Sequence, residues 1–315
     1  MNFPLQSKPL ILDGATGTEL NRRGVDTGLP LWSANALLTD SGAEVLRQVH
    51  LDYLNAGATL LTANTFRTHR RALGKSGFDG ERARELTHRA VAIAKEAIAE
   101  YVRRDGPVGR LPMGRLPVDH LFPAGDVPPE RLYVAGSVAP LEDCYTPGLV
   151  PPDDECRAEH SERIHHLVEA GADILLIETM NTIREARIAA KLAVITGLPV
   201  IVSFVCGTDG RLLSGESLTE AAQTIAPIGP AAIGVNCTPT PDIARCLAEL
   251  RAVCDLPLIA YGNIGHADDD QGWVNTDAVN PKAYARYAAE WPAAIIGGCC
   301  GTTPEHIREL THVLR

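Results

Sequence analysis

Residues 173–204 read DILLIETMNTIREARIAAKLAVITGLPVIVSF: an apolar run, a helical segment and a second apolar run in succession. Asp173 to Glu178 and Pro199 to Phe204 lack polar alternation, as expected of parallel strands buried on both faces. Between them Thr182 and Glu185 have the spacing of a capping box, in which two side chains satisfy the first unpaired backbone amides of a helix. Strand, helix and strand in that order make one unit of an α/β sheet.

The same unit recurs in both directions along the chain. Further apolar runs occupy Pro9 to Asp13, Thr59 to Ala63, Leu132 to Gly136, Ala231 to Asn236, Leu256 to Tyr261 and Ala293 to Gly298, which makes eight in all. Leu86, Ala90, Ile93, Ala97 and Tyr101 recur at three-to-four-residue spacing and give a long helix one apolar face. Ser217 and Glu220 predict a second capping box. Pro241, Pro281 and Pro304 each suit a first helical position, where the missing amide hydrogen does no harm. Eight such units without a break in composition predict one α/β domain over residues 1–315, a single (β/α)8 TIM-type barrel, in preference to an open doubly wound sheet. Arg104 to Arg131 is the exception: rich in proline and glycine and without periodicity, it reads as a long insertion before the third strand.

The 315 residues are 45% hydrophobic, enough for one large core, and carry a formal net charge of −10. That balance opposes nucleic-acid binding, which needs a basic surface, and no stretch approaches the roughly 20 apolar residues that span a bilayer. With no apolar leader in MNFPLQSKPL, the expectation is a cytoplasmic protein acting on small molecules, with a homo-oligomer left open. Eight cysteines without the spacing of a secreted framework are expected to be reduced. Cys144, Cys156, Cys206, Cys246 and Cys254 are scattered singly and read as small buried hydrophobes.

Catalytic groups of a parallel barrel project from the carboxyl ends of its strands. The sixth run ends GVNC, with Asn236 and Cys237, and the eighth ends IIGGCCG, with Cys299 and Cys300. Only strand seven separates these ends in a closed barrel, so three thiols distant in sequence can converge. Adjacent strand residues face opposite ways, but Gly297, Gly298 and Gly301 let the chain turn and aim both sulfurs at one ion. Three thiolates are a zinc set, and three protein ligands leave the fourth tetrahedral position open, as in catalytic sites. Zinc that activates water usually has histidine or carboxylate ligands, and the ten histidines show no HExxH spacing. A thiolate-rich zinc site instead suits a substrate sulfur held as a nucleophilic thiolate. A zinc hydrolase and a non-catalytic redox-sensing or metal-binding barrel are the rival uses of these cysteines. A buried cysteine pair or a vicinal disulfide is the plainer alternative to a metal.

Six segments spread nearly end to end carry a resemblance: LDGATGTEL from Leu12, TANTFRTH from Thr62, VAGSVAP from Val134, ILLIETM from Ile174, GVNC from Gly234 and IIGGCCGTTPEHI from Ile295. In these the chain resembles the homocysteine S-methyltransferases, which include betaine-, S-methylmethionine- and cobalamin-linked members. The resemblance implies that Cys237, Cys299 and Cys300 bind Zn2+ and that homocysteine supplies the fourth sulfur. It implies that Asp13 and Glu178 hold the substrate ammonium, that Gly14 and Ser137 line the amino-acid pocket, and that Asn64, Thr65 and Asn236 form hydrogen bonds at the rim. The implied reaction moves a methyl group from a small onium donor, S-methylmethionine or S-adenosylmethionine, to homocysteine, giving methionine. A betaine-dependent enzyme, or one acting on a related thiol or selenol, is the alternative. Trp32, Phe66, Tyr145, Tyr261, Trp273 and Trp291 are candidate aromatic faces for the onium group, Trp291 being the worst placed. Arg67 stands in a loop where betaine-using relatives have an aromatic contact, which argues against betaine.

Overall fold

The computed structural model describes residues 9–104, 132–268 and 272–315; the expected insertion, Arg104 to Arg131, lies outside the described residues except for Arg104, which ends a helix. In chain order the strands are β1 (Leu10–Ile11), β2 (Leu60–Ala63), β3 (Tyr133–Val138), β4 (Ile174–Met180), β5 (Val200–Phe204), β6 (Ala232–Pro239), β7 (Leu258–Asn263), β8 (Gly265–Asp268), β9 (Gly272–Asn275) and β10 (Ile295–Gly298). The helices are α1 (Thr16–Arg22), α2 (Asp40–Asn55), α3 (Arg70–Gly74), α4 (Gly80–Arg104), α5 (Asp153–Glu169), α6 (Ile183–Val194), α7 (Leu218–Ile225), α8 (Ile243–Val253), α9 (Pro281–Ala289) and α10 (Pro304–Leu314). Eight strands form one parallel sheet in the order β1, β10, β7, β6, β5, β4, β3, β2. The sheet closes on itself where the Thr59 N–H donates to the Ile11 carbonyl at 2.8 Å and the Asp13 N–H to the Leu60 carbonyl at 2.9 Å. With helices outside, this is the (β/α)8 barrel that the alternation of runs predicts.

The two-residue period of each strand divides its side chains between two cores. Leu12, Leu60, Tyr133, Ala135, Ile174, Leu176, Ile201, Ala232, Ile259 and Ile295 fill the barrel. Leu61, Val134, Leu175, Ile177, Val202, Val235, Ala260 and Ile296 pack outward under the helices. Both faces are covered, which is why the runs show no alternation. Further along the inward rows, past Gly234 on β6 and Gly297 on β10, the positions nearest the carboxyl ends are Thr62, Ser137, Glu178, Asn236 and Cys299. Apolar filling gives way to polar groups at that end, and the site forms there.

Ser217 and Glu220 make the full capping box on α7. Thr182 caps α6 by accepting the Glu185 amide, but Glu185 does not reciprocate: its buried carboxylate accepts the Leu141 N–H and faces His160 Nε2, both at 2.9 Å. Pro281 and Pro304 open α9 and α10. Pro241 instead lies in a tighter 3-10 turn, Thr240–Asp242, because β6 runs on through Pro239 and the chain must turn sharply before α8. Among the described residues no helix is long and apolar enough to cross a membrane.

Candidate functional site

Both β4 and β6 break register at their carboxyl ends, between Ile177 and Met180 and between Asn236 and Pro239. Each break holds a residue in the left-handed region, Thr179 at φ 58° and Cys237 at φ 52°. Such a conformation costs a non-glycine residue on the order of 1–3 kcal/mol, so the surroundings must hold it. Asn236 does so reciprocally: its Oδ1 accepts the Thr179 N–H at 2.9 Å, and its Nδ2 donates to Thr179 Oγ1 at 2.8 Å. The break carries Cys237 out of the strand period and toward β10.

Asn263, at the end of β7, secures the other side. Its Nδ2 donates to the Cys237 carbonyl at 2.9 Å and its Oδ1 accepts the Cys300 N–H at 3.0 Å. Gly301, at φ 85°, then turns the chain, and Thr302 Oγ1 donates back to the Cys299 carbonyl at 2.8 Å. Gly297 and Gly298 are not part of that left-handed turn. A Cβ would lie 2.6 Å from Leu12 Cβ at the first and 2.4 Å from Thr302 Oγ1 at the second, so these glycines admit close neighbours instead.

This backbone places Cys237 Sγ 2.9 Å from Cys299 Sγ and 3.8 Å from Cys300 Sγ, with all three sulfurs within 4.8 Å of one another. A tetrahedral ion with bonds of about 2.3 Å spaces its sulfurs about 3.8 Å apart, so the donor set fits zinc, with the Cys237–Cys299 pair tighter than that edge. The three cysteines are free thiols, so no vicinal disulfide joins Cys299 and Cys300. Hydrogen bonds from Cys237 and then Cys299 hold the Cys300 thiol well below its ordinary value, and the contact with Cys299 leads the causes that push Cys237 up.

The thiols line a cavity of about 880 Å³ together with Asp13, Gly14, Asn64, Ser137 and Glu178. Asp13 accepts the Thr62 N–H at 2.8 Å on one oxygen and Thr62 Oγ1 at 2.9 Å on the other, which ties β1 to β2. Glu178 accepts from Ser137 Oγ and, at 3.0 Å, from the Tyr261 hydroxyl. Every one of these donors is neutral. Burial pushes Asp13 up to about 8 despite the Thr62 bonds, and the like charge of Glu178 adds to the rise. Burial likewise pushes Glu178 up to about 7 against the bond from Ser137. A cation bearing N–H donors would return both to carboxylates.

Two of the expected rim residues stand behind the wall. Thr65 Oγ1 donates to the Ser137 carbonyl at 2.9 Å, and Asn236 is clamped to Thr179; neither lines the cavity. Asn64 lines it, but its amide donates to the Ser33 carbonyl at 2.8 Å. At Gly14 a Cβ would meet Tyr53 at 2.7 Å, so no larger residue fits. Trp32, Phe66, Tyr145, Tyr261 and Trp273 line the cavity, whereas Trp291 packs edge-on against Tyr284. All five scattered cysteines are buried, and one of them, Cys144, also reaches the cavity wall.

Asn263, Thr302 and Arg163 are not among the residues expected at the site. The first two are polar residues just past a strand end, in YGN and CCGT, and that position was the available signal. Arg163 reaches from α5 to donate to the carbonyls of Ala139 at 2.7 Å, Thr65 at 2.8 Å, Ser137 at 3.0 Å and Phe66 at 3.1 Å.

The homocysteine S-methyltransferase family model matches residues 10–314. Homocysteine S-methyltransferase 3 of Zea mays is 31% identical, the match covering 97% of this chain and 90% of that protein. Homocysteine S-methyltransferase YbgG of Bacillus subtilis (strain 168) is also 31% identical, over 97% of this chain and 95% of its own. Selenocysteine Se-methyltransferase of Brassica oleracea var. italica is 30% identical, over 95% of this chain and 87% of its own. Among solved structures, the metallated form of the homocysteine methyltransferase MmuM from Escherichia coli aligns with a TM-score of 0.79 at 28% identity, over 98% of this chain and 96% of that one. Nearly the whole chain is matched each time, and it belongs to the homocysteine S-methyltransferase family.

Proposed function

We propose that this protein is a zinc-dependent enzyme that moves a methyl group from a small sulfonium donor, S-methylmethionine or S-adenosylmethionine, to the thiol of L-homocysteine, giving methionine. Methyl transfer to homocysteine follows from the family. The observation that carries the site assignment is the meeting of three thiols with two buried carboxylates in one cavity.

Cys237, Cys299 and Cys300 would hold the ion, which when bound supplies an open fourth position and lowers the pKa of a substrate thiol so that it is nucleophilic near neutral pH. Asp13 and Glu178 take the substrate ammonium, since each keeps lone pairs beyond those that Thr62, Ser137 and Tyr261 occupy. Ser137 and Tyr261 fix the orientation of Glu178, and Thr62 that of Asp13. Trp32 and Phe66, edge to face at 5.5 Å, offer ring surface to the onium group. The electron pair of the thiolate forms the new sulfur–carbon bond, and the donor sulfur keeps the pair of the broken one and leaves as a neutral thioether. A cytoplasmic setting, which keeps thiols reduced, belongs to the same proposal.

The test is to incubate zinc-loaded protein and homocysteine with S-methylmethionine, S-adenosylmethionine and betaine separately, and to measure methionine by mass spectrometry. Turnover is expected with a sulfonium donor. Cys299→Ala is expected to lose both stoichiometric zinc and turnover, and full activity in that variant would defeat the assignment. The selenocysteine methyltransferase among the relatives favours a selenol acceptor as second reading. The ratio of kcat/KM for selenocysteine and homocysteine separates the two.

A further inference from the structure

Arg67 follows Phe66 in the loop after β2 and lines the cavity. Its guanidinium carbon lies 5.6 Å from the Phe66 ring centroid, and Nη1 makes one long bond, 3.4 Å, to the Glu142 carbonyl. Its Nε is buried without an acceptor. Arg71, four residues on, is by contrast paired with Glu142, Glu155 and Glu159. A buried guanidinium N–H is expensive to leave without an acceptor, and the acceptor that suits it is an anionic group entering the cavity.

The residue after Glu142 is Asp143, and it lines the same cavity. Its carboxylate accepts the Tyr145 N–H at 3.2 Å and Thr146 Oγ1 at 2.9 Å, which fixes its direction and leaves lone pairs free. A guanidinium resting on the Glu142 carbonyl and the carboxylate of the next residue complement the carboxylate and ammonium of an α-amino acid. The ammonium of homocysteine already has Asp13 and Glu178, so this second pair answers to the other substrate.

Resting on the function proposed above, we infer that Arg67 and Asp143 are specificity residues that hold the carboxylate and ammonium of the methyl donor. The donor is then an amino-acid sulfonium, in preference to a simple onium ion or a betaine, which has no ammonium N–H to offer.

Initial rates of zinc-loaded wild type, Arg67→Met, Arg67→Lys and Asp143→Asn would be compared on three donors. S-methylmethionine carries both groups, dimethylsulfoniopropionate the carboxylate alone, and trimethylsulfonium neither. Arg67→Met is expected to lower kcat/KM about tenfold to a hundredfold for the first two donors and less than about threefold for trimethylsulfonium, with the KM of homocysteine unchanged. Asp143→Asn is expected to lower it about tenfold for S-methylmethionine alone. Arg67→Lys keeps the charge, so its loss should be smaller and confined to the same two donors; it decides the matter if Arg67→Met fails to fold. Equal losses on all three donors, a raised homocysteine KM in Arg67→Met, or a wild type that prefers trimethylsulfonium would each overturn the assignment. So would a wild type that binds zinc and homocysteine yet uses none of the three. Failure to bind zinc or homocysteine at all would sink the proposed function, and this inference with it.

Discussion

Asp13 and Glu178 are buried acids whose hydrogen bonds all come from neutral groups, and burial raises both, to about 8 and about 7. Their ordinary values are 3.8 and 4.5, so above that range the folded chain binds protons that the unfolded chain releases. The sign follows: their contribution to stability is fully present below the ordinary values and is lost as pH rises through about 7 for Glu178 and about 8 for Asp13. Without an amino-acid substrate, the thermal midpoint is therefore expected to fall between about pH 5 and 8.5. Asp13→Asn, which stays neutral throughout, should show a smaller fall in a calorimetric pH series. A variant curve parallel to that of the wild type would exclude Asp13 as a source of the slope. These two acids were conspicuous in the sequence because each ends an otherwise apolar run. Their partners, Thr62 for Asp13 and Ser137 and Tyr261 for Glu178, come from other strands, and only barrel closure identifies them as such.

At the scale of elements, β2, β3 and β4 supply functional groups, but α5 sets the ends of two of them. Arg163 satisfies four carbonyls in the segments that follow β2 and end β3, and those segments carry Phe66, Arg67 and Ser137. Arg163→Met would strand these carbonyls away from water and is expected to cost about 3 kcal/mol, read from urea unfolding. Arg163→Lys, with three donors, should recover part of that. Equal stability of the methionine variant and wild type would mean that water fills the arginine's place. The eight strands were legible because apolar runs bounded by helix signals need no knowledge of partners. The inward arginine was not, since the buried face of α5 mixes Cys156, His160, Arg163 and His166 with Ile164 and Leu167 and so carries no clear apolar stripe. The β8–β9 hairpin was missed for a related reason: GHAD and GWVN offer neither an apolar run nor alternation, and pairing alone defines them.

For the whole molecule, the short strand that completes the barrel, β1, lies beside β10, whose end carries two of the three clustered thiols. β1 is two residues long and pairs with β10 through Leu10 with Ile295 and Ile11 with Ile296, a ladder extended by bonds from the Leu12 N–H to the Ile296 carbonyl and from the Gly298 N–H to the Asp13 carbonyl. The thiols sit on β6 and at the end of β10, and Asn263 of β7 bonds the backbone of both segments. That three thiols would meet could be argued from strand order alone; the left-handed Cys237 and its clamp from Asn236 could not, because a bulge leaves no mark in composition. An ion held here cross-links β6 to β10 across β7 and so braces the strand that closes the barrel. Saturating zinc at about a hundred times its dissociation constant would stabilise the fold by about 2.7 kcal/mol. For a chain of 315 residues the thermal midpoint should rise by roughly 3–5 °C. A chelator is expected to reverse the shift and fresh zinc to restore it, while Cys237→Ala responds to neither. Hydrogen exchange should show the protection gained on metal binding concentrated in β6, β7, β10 and β1 and small in β3 and β4. Protection spread evenly over all eight strands, or a Cys237→Ala protein that responds to zinc as the wild type does, would place the ion somewhere other than between β6 and β10.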